Sequence, residues 1–311
     1  MNSGLKVFAP ASVANLAVGY DILGLALEGP GDEVVVRFNE KRKGLVITLI
    51  SGAKGKLPYE VEKNTAGVAA LALMKHLGEE DRGIEMEIHK KMPFASGLGS
   101  SAASAAAAVM AINELFKRPV EKRALLPFAV LGEQAADGAF HADNVGPSLL
   151  GGIALIRGGR ALDFQRIVYP AGLYVVVIHP HIKIETKSAR SILKKDVPLE
   201  TVIEQSGNLA GLIIGLYNTD LDLIKRSLKD VIIEPQRSRL IPYFDDFKDA
   251  ALDQGALGCS ISGAGPSIFA LCQNSLIAEK IVTEMEAVCT KHKINADTYI
   301  SKINPEGAIL L

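Results

Sequence analysis

The segment Pro93-Phe94-Ala95-Ser96-Gly97-Leu98-Gly99-Ser100-Ser101-Ala102-Ala103 decides how this chain of 311 residues is read. On its N-terminal side, Gly83 to Lys90 alternates Ile84, Met86 and Ile88 with Glu85, Glu87 and His89. That is the pattern of a half-buried strand with His89 on the outer face. On its C-terminal side, an alanine-rich run predicts a helix from about Ser100 to Phe116, stopped before Pro119. The glycines therefore join a strand to a helix. Glycine adopts positive φ and lets backbone approach a ligand closely. A helix N-terminus adds unpaired N–H groups and the positive end of its dipole, and together these bind a phosphate. Ser100 and Ser101 set hydroxyls at the helix start, able to donate to a phosphate oxygen or to ligate Mg²⁺. A plain strand-to-helix turn with serine as N-cap is the simplest alternative. Gly97-x-Gly99-x-x-Ala102 also fits the dinucleotide fingerprint formally. That motif needs a second parallel strand about 20 residues on, where Pro119-Val120-Glu121-Lys122-Arg123 is polar and enters another helix. No loop of the form G-x-x-x-x-G-K-[S/T] is present, so a bound phosphate would be held by backbone and serines.

Outward from this loop, short apolar runs predict strands at Lys6–Ala9, Glu33–Phe38 and Leu45–Ile50, and a helix at Thr65–Leu77. Pro10 to Asp32 carries no clear period. A helix is expected at Lys122–Ala136 and strands at Gly151–Ile156 and Leu173–His179. Helices follow at Leu199–Leu216, Leu221–Leu228 and Pro242–Gln254, then a strand at Ser267–Cys272, a helix at Leu276–His292 and a last strand at Asp297–Ile303. No Pro-, Gly- or Ser-rich linker divides the chain. The Arg157–Asp163 turn is the expected boundary between domains 1–160 and 161–311.

Composition narrows the classes. Hydrophobic residues at 48% and charged residues at 22% exclude disorder. Lys+Arg of 34 against Asp+Glu of 35 leaves no basic excess for non-specific nucleic-acid binding. Cys259, Cys272 and Cys289 are odd in number and contain no C-x-x-C, so they form neither a disulfide framework nor a zinc site. A reducing, cytoplasmic setting fits. Met1 to Pro10 lacks the pattern of a signal peptide. The uncharged stretch Gly255 to Cys272 is broken by glycines and Pro266, and Ser101–Ile112 is too short, so no membrane span is expected.

Three motifs in order carry a resemblance. The loop has the form P-x-x-x-G-L-G-S-S-A. Ala9-Pro10-Ala11-Ser12-Val13-Ala14-Asn15-Leu16 precedes it, and Ser260-Ile261-Ser262-Gly263-Ala264-Gly265-Pro266-Ser267 follows. The chain thereby resembles the GHMP small-molecule kinases across almost its whole length. Within the family it is most similar to the branch that phosphorylates L-homoserine. The N-terminal motif continues through Tyr20-Asp21-Ile22-Leu23-Gly24-Leu25-Ala26-Leu27, with Ala17-Val18 where that branch carries Gly-Pro and Tyr20 where it carries Phe. His141-Ala142-Asp143-Asn144-Val145, then Pro147 and Gly151-Gly152, is the second branch marker. The resemblance implies an α+β fold of two domains. The N-terminal one would contain a left-handed βαβ unit, and the C-terminal one would be ferredoxin-like and complete the substrate site.

The resemblance also implies the site. ATP would be cradled by Pro93, Ser96, Gly97, Leu98, Gly99, Ser100, Ser101 and Ala102. The loop around Asn64, itself an obvious helix N-cap, would line the adenine pocket. Ser101 or its neighbour Ser100 would share Mg²⁺ with Glu133, which sits on an otherwise apolar helix. Arg190 and Arg237 would bind the substrate carboxylate, as the guanidinium fork suits. Asp21 would meet the ammonium, and Asn15, His141 and Thr186 would orient the rest. Where mevalonate-type relatives have a catalytic aspartate, Asn144 stands here. The implied reaction then has no dedicated base, and positioning, Mg²⁺ and the helix dipole carry the rate; the adjacent Asp143 as general base is the alternative. The implied activity is phosphorylation of L-homoserine in threonine biosynthesis. The alternatives are a mevalonate-type kinase and a non-catalytic regulator of the same fold. Apolar, glycine-rich stretches near the C-terminal end are compatible with a homodimer, which members of the family often form.

Overall fold

The computed structural model describes residues 4–93, 95–138, 141–157, 162–184 and 186–311, with backbone only at 136, 137, 186 and 187. The first half runs β1 (Leu5–Ala14), β2 (Leu23–Phe38), β3 (Leu45–Ser51), α1 (Thr65–Leu77), β4 (Ile84–His89), α2 (Ser100–Leu115), α3 (Leu126–Asp137), α4 (Val145–Leu150), β5 (Ile153–Arg157) and β6 (Asp163–Ile167). The second half runs β7 (Tyr174–Pro180), α5 (Thr186–Ser191), α6 (Leu199–Asn218), α7 (Leu221–Ser227), α8 (Glu234–Arg237), α9 (Phe244–Asp253), β8 (Gly258–Ile261), β9 (Ile268–Cys272), α10 (Ser275–His292), β10 (Ala296–Lys302) and β11 (Ile309–Leu310).

The first sheet has the order β11-β1-β2-β4-β3, with β5 on β2 and β6 outside β5. Its pairings are antiparallel except β3 with β4, which α1 connects. A doubly wound dinucleotide sheet would be parallel, so the topology excludes the fingerprint reading. β4 alternates buried and half-buried residues as its sequence requires, and His89 lies on the outer face against Ser51. Helix α2 lies between β1 and β2 on one side and α1 and α3 on the other, and Ala102, Ala103 and Ala105 to Ala108 are all without exposure. Their small side chains let helix and sheet approach closely. A leucine at Ala106 would overpack this layer at a cost of roughly 1–3 kcal/mol.

The second sheet has the order β10-β7-β9-β8, antiparallel throughout. In its own chain order the strands stand 4-1-3-2, with helices after the first and third, which is the ferredoxin-like arrangement. Val176, Ile178, Phe247, Ile268, Ile281 and Met285 form its core. Among the described residues, no helix is long and apolar enough to cross a membrane.

Several elements were not readable from pattern. β1 continues through Ala14 and β2 starts at Leu23, both inside the stretch without a period. Residues Ala9 to Ala14 are buried on both faces, so no polar–apolar alternation marks them. The predicted helix Lys122–Ala136 is a 3₁₀ turn at Lys122–Leu125 followed by α3, whose start is set by Pro127. β8 is a glycine–serine strand with too little hydrophobic signal. The expected boundary after residue 160 falls outside the described residues. β6, beyond it, pairs with β5 in the first sheet, and β11 returns to β1.

Candidate active site

Three sequence motifs meet at the start of α2. The Ser12 N–H donates to Leu98 O (3.0 Å), the Ser267 N–H to Ser96 O (3.1 Å) and Ser262 Oγ to Gly97 O (2.7 Å). Gly97 has φ +82°, and a Cβ there would lie 2.6 Å from Ser262 O. Only glycine admits this approach. Leu98 and Ala102 are core residues with no exposure, so a ligand meets their backbone alone. Pro93 is half-buried at the loop entrance.

The N-cap position of α2 is Gly99, at φ +66°, and no side chain caps the helix. That overturns serine as N-cap and leaves the helix start open to a ligand. A Cβ on Gly99 would lie 2.2 Å from Ser12 Oγ and 2.8 Å from Asn144 Oδ1. Glycine is needed there for packing between segments.

The serines are held from below. Asp32, fully buried, accepts from Lys90 Nζ, Ser100 Oγ (3.0 Å), Ser104 Oγ (3.1 Å) and the Lys91 N–H (2.9 Å). Lys90 Nζ also donates to Ser100 O (2.6 Å). Burial pulls its pKa down while Asp32 opposes the shift. Breaking such a pair typically costs about 3–5 kcal/mol. Ser101 Oγ donates to Thr65 Oγ1 on α1 (3.1 Å). Asn64 is the N-cap of α1: its Oδ1 accepts from the Ala66 and Gly67 N–H groups, and Nδ2 donates to Pro58 O. Its side chain is committed to that cap.

Beside the loop lies a polar cavity lined by Asn15, Asp21, Glu133, His141, Asn144, Arg190 and Arg237, with Asp143, Gly263 and Ala264. Six separate segments build it. The turn after β1 holds Asn15, Leu16 and Ala17 at φ +73°, +41° and +60° and Asp21 at φ +60°. Such left-handed non-glycine backbone is costly and concentrates at functional sites. Asn15 stabilises it: Nδ2 donates to Gly263 O (3.0 Å), and Oδ1 accepts the Asp21 N–H (3.0 Å). Gly24 brings in the second segment, since a Cβ there would lie 1.8 Å from Asp143 O. Asn144 caps α4 by position, and its Oδ1 accepts from Ser12 Oγ (2.9 Å).

The arginines come from the second half of the chain. Arg237 is 3% exposed. It donates to Ala189 O (3.0 Å), Gly263 O (3.1 Å) and Tyr20 Oη (3.2 Å). Desolvation lowers its pKa. Arg190 does not stand apart from Asp21, as separate carboxylate and ammonium sites would imply. Its Nη1 and Nη2 grip Asp21 Oδ2 and Oδ1 at 2.9 and 3.0 Å. Two flexible opposite charges in one cavity pair with each other. His141 Nδ1 lies 3.7 Å from Asp21 Oδ2. The Asp143 carboxyl is pushed up to about 7, mainly by burial and then by Asp21.

Neither Ser100 nor Ser101 lines this cavity, whereas Glu133 does. The side chain of Thr186 lies outside the described residues. Tyr20, Asp32 and Lys90 were missed as site-building residues. Tyr20 had a signal, an aromatic next to Asp21 inside a motif. Asp32 and Lys90 had none, because a charged residue beside a strand reads as solvated.

The description "GHMP kinases N terminal domain" matches residues 64–152, and "GHMP kinases C terminal" matches residues 212–291. A homoserine kinase of Chlorobium phaeobacteroides is 44% identical over 317 aligned residues, covering 99% of each chain. One of Chlorobaculum tepidum is 43% identical, covering 98% of this chain and 97% of that protein. A crystal structure of homoserine kinase from Cytophaga hutchinsonii superposes with a TM-score of 0.97 at 50% identity, covering 100% of this chain and 98% of that one.

Proposed function

This chain belongs to the GHMP kinase family, and on that premise we propose that it transfers the γ-phosphoryl group of ATP to the side-chain hydroxyl of L-homoserine, giving O-phospho-L-homoserine. The observation that carries this reading is the cavity beside the α2 N-terminus, where Arg190, Arg237 and Asp21 converge. Two guanidiniums and a carboxylate suit an amino-acid zwitterion. A mevalonate-type acceptor has a carboxylate and no ammonium, and would bring no cation to Asp21.

Phosphoryl transfer needs alignment and charge stabilisation more than covalent chemistry. The uncapped N–H groups of α2 and its dipole face the phosphates. The chemistry of the donor set fits Mg²⁺. Glu133 offers a carboxylate, Ser101 a hydroxyl, and among the described residues no cluster of three or more His, Cys, Asp or Glu could cage a metal by itself. Mg²⁺ takes one or two carboxylates together with substrate phosphates, and would neutralise charge on the β- and γ-oxygens. Asn144, held by Ser12, orients the acceptor hydroxyl. An amide cannot take its proton, so the phosphate itself receives it. Asp143, its carboxyl pushed up to about 7 and next to Asn144 in the chain, is the group suited to be a base instead.

Residues 1–160 would then form the ATP-binding domain and 161–311 the domain that completes the acceptor site. A cytoplasmic enzyme of amino-acid biosynthesis, active as a homodimer, is consistent with this assignment. Coupled ADP release with L-homoserine, mevalonate and galactose tests it. Turnover confined to homoserine supports the reading. Preference for mevalonate replaces it with the isoprenoid one, and no turnover favours a regulator.

A further inference from the structure

The amino-acid reading leaves a difficulty in the cavity. The two residues that should receive the carboxylate and the ammonium already satisfy one another: Arg190 holds Asp21 through both oxygens. Arg237 is different. Three of its five N–H groups donate to neutral acceptors, and among the described residues no carboxylate lies within 4.0 Å of it. It is a fixed, buried positive charge. The Tyr20 ring lies under both guanidiniums, 5.0 Å from Arg237 and 5.5 Å from Arg190, and sets their spacing. The Arg190 side chain is 38% exposed, so it is the arm with room to move.

We propose that the Arg190–Asp21 ion pair is a selectivity lock, opened by an acceptor that carries a carboxylate and an ammonium together and so replaces both halves of the pair. The inference rests on the amino-acid reading above. A carboxylate entering alone is drawn to Arg237. To engage Arg190 as well it must strip Asp21, leaving that partly buried carboxylate without its cation and beside Asp143. A cation entering alone must displace Arg190 towards Arg237. Desolvated charges left without partners are strongly unfavourable. The zwitterion avoids both penalties, exchanging one ion pair for two while the net charge of the cavity stays constant. Selectivity then comes from what the wrong acceptor uncovers as well as from what the right one touches.

Asp21→Asn separates this lock from a simple ammonium contact. Asparagine keeps the shape and tolerates the left-handed backbone at this position. In the variant, kcat/KM for L-homoserine falls. For 4-hydroxybutyrate, which lacks the ammonium, it rises about 10-fold above the wild-type value, because Arg190 no longer has to be taken from a carboxylate. A residue that only contacts the ammonium would leave 4-hydroxybutyrate turnover unchanged, and an unchanged or lower value overturns the lock. The second measurement uses the wild-type enzyme. Methylammonium chloride should raise its turnover of 4-hydroxybutyrate several-fold by satisfying Asp21, and tetramethylammonium chloride, with no N–H to donate, should not. Equal effects of the two salts overturn the proposal. Absence of homoserine turnover in the wild type would remove the acceptor assignment, and the lock with it. Normal homoserine turnover with no gain for 4-hydroxybutyrate would remove the lock alone.

Discussion

The glycine loop and the polar cavity adjoin, yet they are built from opposite materials. The loop from Ser96 to Ala102 offers mainly backbone: Leu98 and Ala102 lie in the core, Ser100 donates to Asp32, and Ser101 donates to Thr65 and keeps its oxygen lone pairs. The cavity offers charge from Asp21, Arg190 and Arg237, each on a separate segment. A polyphosphate is recognised by shape and many N–H groups, which a contiguous loop supplies. An amino acid is recognised by opposite charges at fixed spacing, which a single segment cannot supply. Damage to the loop should therefore act through geometry, and damage to the cavity through electrostatics.

The largest effect should come from Gly99→Val. A β-branched residue at φ +66°, with its Cβ 2.2 Å from Ser12 Oγ, strains the backbone by roughly 1–3 kcal/mol and pushes the loop from β1. Activity with every acceptor, and basal ATP hydrolysis, should fall together, with a melting temperature lowered by several degrees. A fully active variant would break the view that the loop works by backbone geometry.

Arg190→Ala should act on one side of the comparison only. Loss of a partner for a desolvated carboxylate costs about 2–5 kcal/mol, and it should appear in kcat/KM for homoserine. Basal hydrolysis, in which water is the acceptor, should change little. Proportional loss of both activities would assign Arg190 to the phosphates.

Asp143→Asn sharpens the electrostatic side. The folded protein holds this carboxyl protonated up to about pH 7, whereas the unfolded chain releases its proton near 3.8. The unfolded state therefore binds fewer protons between these values, and wild-type stability falls as pH rises through that window. Asparagine removes the penalty, so the variant's melting temperature should gain on the wild type from pH 4 to 7 and hold its lead above that. A constant difference across pH would remove the buried-carboxyl account. In the same variant, a 10²–10⁴-fold loss of kcat would identify Asp143 as the general base.

Ser262→Ala should have the smallest effect. It removes one 2.7 Å hydrogen bond onto Gly97 O, worth about 0.5–1.5 kcal/mol. KM for ATP should rise a few-fold, with KM for homoserine unchanged. An equal rise in both would mean that loop and cavity move as one body.

Much of this was legible before the fold. Contiguity made the loop readable, because strand, glycines and helix follow one another from Ile84 to Leu115. The family resemblance that the three motifs carry marked Asn15, Asp21, Glu133, His141, Asn144, Arg190 and Arg237, and these line one cavity. Patterning failed where both faces are buried, as from Ala9 to Ala14, since alternation requires a solvent face.

By itself, then, the sequence determined the local chemistry: where glycine must stand, which helix starts beside it, and which charged residues belong to motifs. Only the tertiary structure decided how those charges are spent. Asp32 and Lys90 are 58 residues apart and meet beneath the helix start, and Asp21 and Arg190 are 169 apart and hold each other. The physical reason is that the free energy of a charge depends on its desolvation and its partner. Both are properties of where the chain returns in space, and the order of residues along it does not state them.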